Sequence, residues 1–214
     1  MTVVTDNLRQ AYDLAYRKAC AEFGRWQPAD MAASGGAGFD GASGAIRLRY
    51  VNDDYLISWP GGEVVSTSGE TVPNTVKIVL LHYLLRAGGL SLSGRLISFK
   101  EITSGGMIYL DAYNKRIINY LLGVFGDQPA LLPAAGRAIG GTRALYGQYG
   151  LKINILPRLP VTFALWAGDE ELPASASVLY DSSAPSYLPT EDLIEATAYC
   201  VRQLARAAKK LAAS

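Results

Sequence analysis

Three neighbouring stretches of the chain alternate apolar and polar residues, and this alternation limits the folds that the chain can adopt. The stretches read AIRLRYV, DYLISWP and GEVVSTS, and they begin at Ala45, Asp54 and Gly62. A period of two puts successive side chains on opposite faces of a strand, and the Asn, Asp, Pro and Gly residues between the stretches favour turns. The pattern predicts a three-stranded antiparallel meander.

The next segment, residues 73–89, predicts a central helix. Its sequence is PNTVKIVLLHYLLRAGG, with a proline at the start and two glycines at the end, which are typical positions for both residue types. Apolar residues occupy nearly every face of this helix, so we expect it to be buried. Residues 6–24 and 189–213 each carry a single apolar stripe, which predicts amphipathic helices near the two ends of the chain.

A second block of strands is predicted in the last third of the chain, at YGLKINIL, LPVTFALW and ASVLYD. Strands and helices therefore come in blocks and do not alternate regularly, which favours the α+β class over a doubly wound parallel sheet. We predict antiparallel strand blocks packed with a central apolar helix and terminal amphipathic helices, in a single domain of residues 1–214. The glycine-rich residues 34–44 lack the lysine of a phosphate-binding loop and predict a mobile loop.

Charge and cysteine content exclude several classes of function. The chain has 20 Lys and Arg residues against 19 Asp and Glu residues, so no basic excess indicates a nucleic-acid partner. Cys20 and Cys200 lie far apart, outside any metal-binding spacing, and both are predicted to be small core residues on helices. No apolar run is long enough to span a bilayer, and the N-terminus lacks a secretory signal. We expect a cytoplasmic protein with no membrane partner.

His82 is the only histidine in the chain and lies within the apolar sequence IVLLHYLL. One interpretation is a neutral core histidine with one ring nitrogen hydrogen-bonded to a neighbouring residue. The other is an axial ligand or general base that faces a cavity. The aromatic residues Tyr83, Trp59, Tyr109 and Trp166 lie in similarly apolar elements, where they pack in a core or line a pocket for a flat ligand.

Three consecutive acids, Asp169, Glu170 and Glu171, follow a predicted strand. Gly168 and Asp169 are typical turn residues, so the acids are interpreted first as a turn with surface carboxylates. The alternatives are the polar rim of a binding pocket and a metal or acid-base site that also uses Asp181. Because successive side chains on an extended chain point in opposite directions, at most two of the three acids can converge on one ligand.

Four blocks in sequence order resemble the family labelled domain of unknown function 3786, which is found in anaerobic bacteria and archaea. They read IVLLHYLLRAGG, LSGRLISFKEITSGGMIY, LPRLPVTFALWAGDEELPASASVLYD and YLPTEDL, and the resemblance is strongest over residues 156–192. The family has no assigned activity. Some relatives are described as iron-sulfur proteins because they carry an additional cysteine-rich module. Residues 1–214 contain only two cysteines and no such module. Relatives also tend to occur among proteins of anaerobic one-carbon and corrinoid metabolism.

The leading hypothesis is a non-catalytic protein that binds a corrinoid or another haem-like tetrapyrrole, with His82 as nitrogen ligand. Tyr83, Trp59, Tyr109 and Trp166 would contact the cofactor, and Asp169 and Glu170 would form the polar rim of the pocket. A corrinoid protein or a redox protein would be the protein partner. Two alternatives stay open: an interaction or scaffold protein, and a metal-dependent hydrolase or transferase that uses the Asp169 and Glu170 cluster.

Overall fold

The structure is a computed structural model that describes residues 2–102 and 104–213. The chain divides into two compact units. Unit 1 comprises Met1–Leu90 and Ser186–Leu188, and unit 2 comprises Ser91–Pro185 and Pro189–Ser214. Each unit has one antiparallel sheet and its own helices, so the predicted α+β class is confirmed.

The sheet of unit 1 has four strands, and it includes the predicted three-stranded meander. Alternate residues of the second strand are buried and exposed, as a half-buried strand requires: Ile46 and Leu48 lie in the core, whereas Arg47 and Arg49 are exposed. A short additional strand pairs with the meander on its N-terminal side. The strands, in spatial as well as chain order, are β1 (Gly38–Asp40), β2 (Ala45–Tyr50), β3 (Asp53–Ser58) and β4 (Glu63–Ser66).

Three helices complete unit 1. They are α1 (Thr2–Phe23), α2 (Pro28–Gly35) and α3 (Asn74–Arg86). Helix α3 is the predicted central helix, and it packs against both α1 and α2. Cys20 on α1 is only half-buried, because it lies beside the turn at Gly62 and not in the core. The predicted mobile loop at residues 34–44 contains the end of α2, strand β1 and a tight turn, while its mobility stays a prediction.

The sheet of unit 2 has five antiparallel strands in the spatial order β5-β9-β8-β7-β6. Strand β8 is the central strand of this sheet, and all its residues except the last are buried. The connection between β7 and β8 is a two-residue turn, residues 157–158, across which Leu156 pairs with Leu159. The strand bounds are β5 (Leu96–Ser98), β6 (Thr142–Ala144), β7 (Tyr149–Leu156), β8 (Leu159–Trp166) and β9 (Ser175–Asp181).

The helices of unit 2 include one continuous helical stretch with a π-helical middle. It consists of α4 (Leu110–Tyr113), a π-helical segment (Asn114–Ile118) and α5 (Asn119–Phe125). Helix α6 (Leu131–Ala138) packs against β7, and α7 (Thr190–Ala212) is the predicted closing helix, with acids in its first turn and lysines in its last. Short 3-10 turns occur at Phe99–Glu101 and Ala184–Ser186. None of the helices described above combines the length and apolar character needed to cross a membrane.

Candidate functional site

The seven residues predicted to contact a cofactor divide between the two units. Unit 1 contains Trp59, His82 and Tyr83. Unit 2 contains the other four, which are Tyr109, Trp166, Asp169 and Glu170. The seven predicted residues therefore do not all belong to one unit.

His82 and Tyr83 are consecutive residues of α3, and they have different environments. Successive side chains on an α-helix diverge by about 100°, so the two side chains leave the helix in different directions. The ring of Tyr83 is completely buried and stacks on Tyr187, with 5.8 Å between the ring centroids. Its hydroxyl donates a hydrogen bond of 2.6 Å to the carbonyl of Gly35. His82 is half-buried, so its imidazole lies at the margin of the core.

The Tyr83→Phe substitution is expected to lower the free energy of unfolding by about 1–2 kcal/mol, because the buried carbonyl of Gly35 loses its donor. Chemical denaturation would measure the change. The matched control is Tyr120→Phe, which removes a hydroxyl from an exposed ring and should change stability by less than about 0.5 kcal/mol. Equal effects of the two substitutions would contradict a structural role for the Tyr83 hydroxyl.

Trp59 directly follows β3, and its side chain reaches the backbone of Trp26 in unit 1. The indole N–H of Trp59 donates a hydrogen bond of 3.0 Å to the backbone carbonyl of Trp26. The backbone N–H of Trp59 donates to the carbonyl of Gly44 at 2.9 Å, and its peptide bond to Pro60 is cis. Both indole rings remain partly exposed, so they present apolar surface that the protein itself does not cover.

Trp166 is the last residue of β8, and the acid cluster occupies the turn that follows it. The Asp169 carboxylate accepts hydrogen bonds from the backbone N–H groups of Leu172, at 2.8 Å, and Glu171, at 2.9 Å. These two bonds, the one from Leu172 first, lower the pKa of Asp169. The backbone N–H of Asp169 in turn donates to the carbonyl of Leu172. The aspartate turn predicted from Gly168 and Asp169 is thus present, and Glu170 is an exposed residue within it.

A second turn lies at the same end of the five-stranded sheet. Residues 145–148 connect β6 to β7, and the side-chain oxygen of Gln148 accepts a hydrogen bond of 3.1 Å from the backbone N–H of Ala167. The two turns and the last residue of β8 together expose four large apolar side chains, which we call the sheet-end surface: Leu145, Tyr146, Trp166 and Leu172. Only Trp166 among them is a candidate from the sequence, because ALYGQYG has no pattern that separates a turn from a strand.

Tyr109 lies apart from that acid turn in the sequence, immediately before α4. Its side chain is half-buried, and its ring lies against the backbone of Gly105. Gly105 has φ +105°, a conformation that residues with a side chain rarely adopt, so this close approach depends on glycine. The adjacent Met107 and Ile108 are exposed.

Asp181, a third carboxylate considered for metal or acid-base chemistry, is buried in a dense set of hydrogen bonds. The backbone N–H and hydroxyl groups of Ser93 and Ser183, together with the backbone N–H of Gly94, all donate to it at 2.7–3.0 Å. Burial acts to raise the pKa of Asp181, but the hydrogen bonds from Ser183 and Ser93 outweigh it and hold the pKa well below its usual range. The carboxylate therefore ties the chain before β5 to the end of β9. Among residues 2–102 and 104–213, no three His, Cys, Asp or Glu side chains cluster so as to hold a metal ion.

Comparison with known proteins identifies one family. Residues 27–203 match the sequence model described as domain of unknown function (DUF3786). The chain belongs to this family. The matched region of this DUF3786 chain begins just before α2 and ends within α7, so it includes the strands of both sheets. No curated protein and no solved structure matches the chain.

Proposed function

We propose that the protein is a non-catalytic binding protein for a flat, apolar cofactor of the tetrapyrrole class, such as a corrinoid. The observation that carries the proposal is the position of His82, the only imidazole in the chain, at the margin of a buried helix. Imidazole nitrogen is a common axial ligand of haem iron and the commonest protein ligand of transition metals. Because Leu81 and Tyr83 on either side are buried, α3 would hold the ring of the half-buried His82 in a fixed direction.

The predicted contact residues fit such a cofactor only in part. Trp59 belongs to the same unit as His82 and has exposed aromatic surface, which suits a flat ligand. Tyr83 does not fit, because its ring and hydroxyl are already engaged by Tyr187 and Gly35. The proposal therefore rests on His82 and Trp59. The cofactor class is supported by the tendency of family members to occur among proteins of anaerobic one-carbon and corrinoid metabolism. That context also favours a cytoplasmic location and a corrinoid or redox protein as partner.

A titration of the purified protein with hydroxocobalamin, and separately with haem, tests the proposal. We expect the absorption bands of one cofactor to shift as imidazole replaces a weaker axial ligand. The His82→Gln variant keeps a polar side chain of similar length but lacks the imidazole, so its spectrum should not shift.

The Trp59→Ser variant separates ligation from general contact, since it should weaken cofactor binding while leaving the shifted spectrum of the bound form unchanged. If the wild-type protein and His82→Gln give the same spectra with both cofactors, His82 is not a ligand and the proposal fails.

A metal-dependent hydrolase or transferase has less support from the contacts described above. The Asp181 oxygens accept five hydrogen bonds from the protein, and Asp169 holds the turn in which it lies. Each of these carboxylates therefore has a role in the fold.

A further inference from the structure

The sheet-end surface of unit 2 exposes more apolar area than a turn requires. The exposed fractions are 96% for Leu145, 68% for Leu172, 50% for Tyr146 and 42% for Trp166. Single exposed apolar residues are ordinary, but a group of large ones on adjoining turns is typical of an interaction site. Trp and Tyr are also the residues most enriched among those that dominate binding energy at protein interfaces.

The turns that carry this surface are held by specific contacts. The Asp169 carboxylate fixes the turn after β8, and the bond from Ala167 to Gln148 joins it to the turn before β7. Gly147 lies so close to β8 that a Cβ atom would approach the backbone nitrogen of Leu165 to 2.9 Å. The apolar groups are thus presented on a preorganised support, which reduces the entropy lost on binding.

The turns that carry this surface are acidic, and the basic residue nearest to them in the sequence is the exposed Arg143 of β6, two residues before Leu145. Gly126, which directly follows α5, lies beside the end of the turn after β8, because a Cβ atom on Gly126 would lie 3.7 Å from that of Ala174. The three segments at this end of the sheet, residues 126–128, 145–148 and 166–174, contain four acids and neither Lys nor Arg. The acids are Asp127, Asp169, Glu170 and Glu171, and all four are exposed.

We propose that the sheet-end surface binds a segment of another protein that presents large apolar side chains flanked by Lys or Arg. The apolar groups would supply most of the affinity, and the acids would select a basic partner and speed its association. An anionic membrane is disfavoured as the occupant, because the same acids would repel it. If the protein is an interaction or scaffold protein, this surface is where the partner would bind. Binding there does not depend on His82 or on a cofactor.

A selection from a random displayed peptide library tests the proposal. The wild-type protein is the target, and the double variant Leu145→Ser, Leu172→Ser is the counter-target. We expect the selected peptides to be enriched in both Lys or Arg and large apolar residues. Calorimetric titration of the synthesised peptides should give affinities at least about tenfold weaker for the double variant than for the wild type.

Two further variants separate the two contributions. Glu170→Lys with Glu171→Lys should weaken binding and reduce the loss of affinity seen when salt is raised from about 50 to 500 mM. Val65→Ser, which removes an exposed apolar side chain from unit 1, should leave peptide binding unchanged. All these positions are exposed, so unchanged melting temperatures would confirm that the variants fold.

Three results would overturn the proposal. The first is a selection that gives no peptide whose binding depends on Leu145 and Leu172, or only peptides without basic residues. The second is a wild-type dimer in sedimentation that the double variant converts to a monomer, which would make a second copy the occupant. The third is binding to vesicles of phosphatidylcholine and phosphatidylglycerol that the double variant loses.

Discussion

Replacing Asp181 by alanine is expected to lower the free energy of unfolding by about 2–4 kcal/mol, the largest effect that we predict for a single polar residue. The residue is 4% exposed and its carboxylate accepts five hydrogen bonds, so removal of the carboxylate leaves the donors of Ser93, Gly94 and Ser183 without their acceptor. Urea denaturation followed by circular dichroism would measure the loss.

Asp169→Ala is the matched control for this prediction. Asp169 is also a turn aspartate with backbone hydrogen bonds, but it is exposed, so water can replace the carboxylate when it is removed. We expect a loss of less than about 1 kcal/mol. Similar losses of unfolding free energy for Asp169→Ala and Asp181→Ala would show that burial does not increase the contribution of the Asp181 hydrogen bonds to stability.

The same carboxylate predicts a pH dependence of stability. The pKa of Asp181 is lower in the folded protein than in the unfolded chain, so its contribution is complete above the unfolded value of about 3.9 and is lost as the pH falls through the folded value. The difference in unfolding free energy between the wild type and Asp181→Asn should therefore stay constant from about pH 7 to pH 5.5 and shrink below about pH 4. A difference that grows on acidification would contradict the lowered pKa.

The Gly136→Ala substitution is expected to destabilise the protein by about 1–3 kcal/mol, even though alanine is the better helix former. Gly136 lies in α6, where a Cβ atom would approach Cδ1 and Cγ of Leu151 on β7 to 2.1 and 2.8 Å. Leu151 is completely buried, so it cannot move aside without displacing other core side chains. Chemical denaturation would measure the loss of stability.

Gly123→Ala in α5 is the control for that prediction, because no atom would lie within 4 Å of the added Cβ. Here only the helix propensity changes, and we expect a gain of about 0.5–1 kcal/mol. A loss of stability in Gly136→Ala and a gain in Gly123→Ala would establish the reason for glycine at position 136. That reason would be close packing of α6 on β7 and not backbone freedom. A gain in both variants would refute it.

The sequence predicted those parts of the fold in which a periodic pattern of apolar residues extends over enough residues to be unambiguous. The meander of unit 1, helix α3, the three long strands of unit 2 and helix α7 all lie where the pattern places them. Strands β1 and β6 were missed because each has three residues, too few for alternation to be detected, and β1 begins with a glycine. Helix α2 was missed because its sequence, PADMAASG, consists largely of small residues with no apolar stripe.

The candidate site was less predictable, because residue type does not reveal whether a side chain is already engaged. Tyr83 and Trp59 were similar candidates in the sequence, yet the former is sealed in the core by Gly35 and Tyr187 and the latter is exposed beside Trp26. The role of Asp169 as a turn residue followed from local chemistry, since its partners are two and three residues away. The partners of Asp181 include Ser93, 88 residues away in the sequence, and only the folded chain brings them together.

The placement of the three tryptophans provides each unit with its own optical reporter. Trp26 and Trp59 belong to unit 1, whereas Trp166 is the only tryptophan of unit 2. Because Trp166 is 42% exposed and belongs to the sheet-end surface, its emission responds to solvent exclusion there without any attached dye. With Trp26 and Trp59 changed to phenylalanine, the remaining fluorescence would report the unfolding of unit 2 and the occupancy of its sheet-end surface from one signal.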